Sequence, residues 1–163
     1  MKALRRALTV TVTIAAGAIA VGLVLPASAT SAPDRGPTLE FGVNFRPFQD
    51  NYVDIGETGF TVGDLLVFQD DLLDGAGNAA GIQGGTCTIT AFLRGGLQTH
   101  CVGAASLSDG QISFQGLATD APVKPLAVTG GTGKYRAASG EVVLTEHGDG
   151  SGTLSIRLAS GPR

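Results

Sequence analysis

Beyond residue 37 the chain breaks into short apolar or alternating runs, separated every 8 to 12 residues or so by clusters of Gly, Asp and Asn. No stretch repeats its apolar positions at helical spacing. The pattern predicts strands over Thr38 to Phe45, Asp64 to Leu73, Gly81 to Phe92, Leu97 to Leu107, Gln111 to Ala118, Lys124 to Thr129, Ser139 to His147 and Thr153 to Leu158. Ser108-Asp109-Gly110 and Gly148-Asp149-Gly150 read as hairpin turns, and Arg94-Gly95-Gly96 as a hairpin tip. A barrel or a sandwich would satisfy this alternation. About eight strands with short turns favour an all-β, eight-stranded antiparallel β-barrel, because closure removes exposed edges. A barrel of that size can hold one small ligand.

Alternation also sorts the side chains. Leu66, Phe68, Asp70 and Leu72 share one face of the second predicted strand, and Asp70 is the one charge on it. A carboxyl on an apolar face is costly unless it is solvated, paired or protonated. Either Asp70 lies at a barrel mouth in water, or it is placed to meet a ligand.

The first 29 residues change the class of protein. Met1-Lys2-Ala3-Leu4-Arg5-Arg6 is basic, Ala7 to Leu25 is almost wholly apolar or small, and Ala27-Ser28-Ala29 fits a cleavage site. This is the layout of a secretory signal peptide, 1–29, rather than a retained membrane anchor. The expected product is secreted, with a flexible Ser/Pro/Gly-rich tail over 30–37 and one domain over 38–160. Lys2, Arg5 and Arg6 leave with the signal, so eight basic residues face fourteen acidic ones, a net charge of about −6. That balance and the lack of a basic patch exclude nucleic acid and anionic membranes as favoured partners.

Cys87 and Cys101 are the only cysteines. In an exported chain they pair or stay free. Folding the chain at Arg94-Gly95-Gly96 sets Cys87 directly opposite Cys101, a spacing that suits a disulfide.

Other chemistry is sparse. Gly130-Gly131-Thr132-Gly133-Lys134 looks like a phosphate loop. Val128 stands where that motif needs its first glycine, however, and Tyr135 where it needs Ser or Thr. The glycines instead suit a sharp bend. His100 and His147 fall on different strands, no His/Cys/carboxylate set has metal spacing, and Asp70, Asp71 and Asp74 miss the calcium-loop pattern. No nucleophile elbow is present. Lys134 and Arg136 either meet an acidic ligand at a mouth or sit on a solvated corner.

Four segments resemble the allene oxide cyclase barrel family: Val62-Gly63-Asp64-Leu65-Leu66-Val67-Phe68-Gln69-Asp70-Asp71-Leu72-Leu73-Asp74, then Gly81-Ile82-Gln83-Gly84-Gly85-Thr86-Cys87-Thr88, Gly110-Gln111-Ile112-Ser113-Phe114-Gln115-Gly116, and Thr129-Gly130-Gly131-Thr132-Gly133-Lys134-Tyr135. The last is shared with plant dirigent proteins. The resemblance implies a calycin-like barrel with an apolar cavity, often trimeric. It also implies cofactor-free chemistry with no metal. Plant members close a fatty-acid epoxide, dirigent proteins steer radical coupling, and bacterial relatives act as cyclases. By position it implies Asp70 and Glu40 as catalytic groups, although Glu40 shares a face with Asn44 rather than Phe41. It also puts Cys87 at a pocket position. Together with Leu66, Phe68 and Leu72 from the apolar face of the second strand, Phe114, and Arg136 as a mouth residue, Cys87 completes the expected ligand-binding set. Ala118 stands where the family keeps a pocket Tyr, and a bridged Cys87 could not act as a thiol. These departures point to another hydrophobic ligand. The expected function is stereocontrolled cyclisation or coupling of an apolar unsaturated molecule, the alternative being a non-catalytic carrier or a barrel filled with side chains.

Overall fold

The computed structural model describes residues 35–46 and 51–160. The expected signal peptide, 1–29, and residues 30–34 of the expected tail lie outside them. Nine strands form: β1 (Arg35–Asn44), β2 (Asn51–Val53), β3 (Leu65–Leu73), β4 (Ala79–Leu93), β5 (Gly96–Leu107), β6 (Gly110–Thr119), β7 (Val123–Gly131), β8 (Gly140–Glu146) and β9 (Ser151–Ala159). All pairs are antiparallel, in the order β1-β9-β8-β7-β6-β5-β4-β3. β1 returns to β3 through Gly42↔Leu73, Val43↔Leu72 and Asn44↔Asp71, which closes an eight-stranded barrel. The expected fold class is therefore the one observed.

The eight predicted strands match β1 and β3–β9 to within a few residues. β1 starts at Arg35, so residues 35–37 of the expected tail are strand. Pro37 offers no N–H to a ladder, and the pairing with β9 slips between Arg35 and Thr38 to pass it. β2 was not legible, being three residues long. It extends the edge of β3 beyond β1, with Asn51↔Val67, Tyr52↔Leu66 and Val53↔Leu65. The buried carboxylate of Asp64 ties this addition down. It accepts the Tyr52 hydroxyl at 2.7 Å and the N–H groups of Ile55 and Thr61 at 2.8 and 2.6 Å. Those bonds, the Tyr52 hydroxyl first, hold Asp64 down to about 2, and loss of water pushes Tyr52 up to about 12.

The two ends of the barrel differ. At one end Val43, Leu72, Ala105, Ile112, Val128, Val142 and Ile156 pack into a solid core. The glycine-dense corner plugs this end. Its 3₁₀ turn Gly133–Tyr135 buries Tyr135 and lies against the β5–β6 turn. Gly133 has φ 57°, and a Cβ there would stand 2.3 Å from the Asp109 carbonyl oxygen, so only glycine fits. The bend reading of this segment holds, and no helix N-terminus follows it to bind phosphate.

Candidate functional site

The other end is hollow. A cavity of about 690 Å³ lies between β3–β9 and the end of β1, open towards the β4–β5, β6–β7 and β8–β9 turns. Its size falls within the usual range for a small-molecule site. The room comes from small inward residues. Ala118 stands where a larger side chain would fill the lumen, and Gly103 makes way for the Phe114 ring, from which a Cβ there would lie 2.7 Å.

The wall is mostly apolar, with Leu66, Phe68, Phe114, Leu126, Leu144 and Leu154 among its members. Asp70 is the exception within. It is 2% exposed, and across the β3–β4 ladder it faces Gln83, also 2% exposed. The Gln83 side-chain amide donates to Asp70 Oδ2 at 2.9 Å. Of the two readings of Asp70, the solvated mouth residue is thereby ruled out. On the outer surface Arg46 pairs with Asp71, its Nε reaching Asp71 Oδ2 at 2.8 Å, and this pairing, helped by the charge of Asp70, raises the Arg46 pKa.

Cys87 and Cys101 both line the cavity and are bridged, S–S 2.04 Å, in direct register across β4 and β5. Cys87 therefore offers the cavity a sulfur wall rather than a thiolate. Among the described residues the rim carries three charges. Lys124 Nζ binds Glu146 Oε1 at 2.8 Å and the Ala121 carbonyl at 3.0 Å. Asp120 accepts the Leu97 N–H at 2.8 Å.

Of the residues singled out in the sequence, Leu66, Phe68, Asp70, Cys87 and Phe114 meet at the cavity. Three do not. Leu72 is wholly buried in the packed half, opposite Val43, because each step of two along β3 goes deeper. Glu40 lies between the inward Leu39 and Phe41, so strand alternation turns it outward, where it accepts the Ser155 hydroxyl at 2.6 Å. Arg136 is exposed beside the corner, and that corner seals the end away from the mouth. Lys134 is there too, paired with Asp109 at 3.2 Å.

Gln83, Lys124, Glu146 and Asp120 were missed. Two faint signals existed. Gln83 shares the inward row with Cys87, and Lys124 and Glu146 end the apolar rows of Leu126-Val128 and Val142-Leu144. Chemically, the site offers one carboxyl in a water-poor wall, held by an amide. Such a group can take or return a proton and can polarise a guest. Among the described residues neither histidine lines the cavity, and His147 instead meets Ser151 and Thr153 beside the β8–β9 turn.

No curated protein matches the chain. Among solved structures, a pyocyanin demethylase is 28% identical with a TM-score of 0.66, covering 76% of this chain and all of that one. The exo-specific intermolecular Diels-Alderase AbnU is 18% identical, TM-score 0.59, covering 77% of this chain and all of its own. The pterocarpan synthase dirigent protein GePTS1 is 16% identical, TM-score 0.56, covering 86% of this chain and 96% of its own. The latter two share the barrel fold. Residues 48–156 match the family described as Allene oxide cyclase barrel like domain, and with this closed barrel the chain belongs to that family.

Proposed function

We propose that the hollow half of the barrel binds one apolar, unsaturated small molecule and steers its cyclisation or coupling without a cofactor, as an exported protein. The single observation that carries this reading is the half-empty lumen with Asp70 and Gln83 set into its apolar wall. Shape fixes the guest in a reactive conformer and excludes water, and the carboxyl polarises it or moves a proton. The demethylase, Diels-Alderase and dirigent barrels to which the chain is similar support small-molecule chemistry in such a lumen. The buried Asp70–Gln83 pair favours catalysis over a plain carrier, because a carrier of apolar cargo gains nothing from a polar pair in its wall. Export rests on the signal sequence. The test is titration with the neutral probe N-phenyl-1-naphthylamine against a variant whose lumen is filled by Ala118→Trp. One site per barrel in the native protein, lost in the variant, is the expected outcome. Unaltered binding in the variant would place the guest elsewhere.

We further propose that the protein self-associates through the outer face of β4–β7. Lys124 is the only Asp, Glu, Lys or Arg in those four strands, and it faces the lumen rim. Val102, Leu117 and Val123 stand exposed on that face. An uncharged face meets its own copy without like-charge repulsion, which suits a homo-oligomer, with a trimer expected from the family. Mass photometry should give an oligomer that Leu117→Glu converts to monomer. A native protein already monomeric at micromolar concentration would contradict this.

A further inference from the structure

We infer that this cavity selects its guest by charge, taking cationic or N–H- and O–H-donating aromatic molecules over neutral ones and rejecting carboxylates. The inference rests on the reading of the lumen as a guest site and adds the chemical class of the guest.

Among the described residues the lining holds three carboxyl groups, Asp70, Asp120 and Glu146, and one ammonium, Lys124. The ammonium is already engaged. Its side chain is only 17% exposed, and Nζ donates to both Glu146 and the Ala121 carbonyl. An entering carboxylate therefore finds no spare cation in the wall. It must either compete with Glu146 for Lys124 or sit near carboxylates in an apolar lumen, where repulsion is far less screened than in water.

A cation gains where the carboxylate loses. Asp70 and Lys124 lie on β3 and β7, four strands apart in a ring of eight, so they occupy opposite walls. A guest whose positive or proton-donating group lies against Asp70 is thus held away from the rim ammonium. Gln83 adds selectivity of its own. Its amide nitrogen is committed to Asp70, which leaves its carbonyl oxygen as a further acceptor beside the carboxyl. Two acceptors side by side suit a donor such as a phenol, a lactam N–H or a protonated heteroaromatic nitrogen. The aromatic preference comes from Phe45, Phe68 and Phe114, whose rings favour flat, polarisable or cationic guests.

The test uses three probes with one tricyclic body: N-methylacridinium, acridine and acridine-9-carboxylate. Fluorescence titrations run at about pH 8, where acridine is neutral, and in about 150 mM salt to screen the acidic surface. Affinity is expected to fall about tenfold from cation to neutral probe and about tenfold again to carboxylate. Asp70→Asn should remove the advantage of the cation. Glu146→Gln, at the half-exposed rim where folding is not at stake, should free Lys124 and strengthen carboxylate binding. A carboxylate that binds the native protein as well as the cation does, or one indifferent to Glu146→Gln, overturns the charge selection and leaves the guest site standing. If none of the three binds, the guest-site reading fails, and this inference fails with it.

Discussion

Turnover of a converted guest is expected to fall about 100-fold on Asp70→Asn, the scale of a positioned general acid or base. The substitution is nearly isosteric, and the Asn oxygen can still accept the Gln83 amide, so the barrel should fold and the cavity keep its shape. What is lost is the ability to hold a negative charge or exchange a proton in the wall. The effect should fall on kcat more than on KM for a guest that binds chiefly through Leu66, Phe68 and Phe114. Guests would come from native mass spectrometry with lipid, polyene and aromatic extracts, and turnover would be followed by chiral chromatography. Unchanged turnover in a folded variant would leave shape alone as the source of rate and remove Asp70 from the chemistry.

The second large effect concerns stability. Cys87→Ala/Cys101→Ala is expected to cost about 3 kcal/mol, because the bridge closes a chain loop with a sequence separation of 14 and so restricts the unfolded state. For a domain of this length that lowers the thermal midpoint by about 10 °C. Cys101 is buried and Cys87 half-buried against the core, so two Ala residues widen the lumen without a clash. The native protein under reductant should melt with the double variant, since both lack only the bridge. Coincident melts with and without reductant would mean that the β4–β5 ladder, which runs nearly the length of both strands, already fixes this register unaided.

These expectations rest on features that were unequally legible in the chain. Strand alternation carried the fold, because a half-apolar strand can bury only one face. The row Leu66, Phe68, Asp70, Leu72 pointed inward as read. The Cys87–Cys101 register followed from one tight turn, a local constraint. Apart from Glu40, the differences are matters of depth or of distant pairing. Alternation says which way Leu72 points but not how far down the barrel it lies, so a core residue was read as a pocket residue. It also cannot say which end of a barrel a corner closes. Arg136 therefore admits both a mouth and a solvated-corner reading, and it lies exposed on the corner, which is the plug. Glu40 came from alignment to a resemblance, while its own neighbours Leu39 and Phe41 already turned it outward. Gln83 gains its meaning only from the β3–β4 register, which sets it against Asp70. β2 exists because Asp64 gathers Tyr52, Ile55 and Thr61, a tertiary arrangement with no local period to betray it.

The barrel is a container, with room for a guest at one end and solid packing at the other. Titration of N-phenyl-1-naphthylamine, read by its fluorescence rise in apolar surroundings, tests that most directly. Saturation at one probe per barrel is expected, with the signal lost on Ala118→Trp and the melting curve preserved. Absence of saturable binding to the native protein, or the same binding to the filled variant, would contradict it.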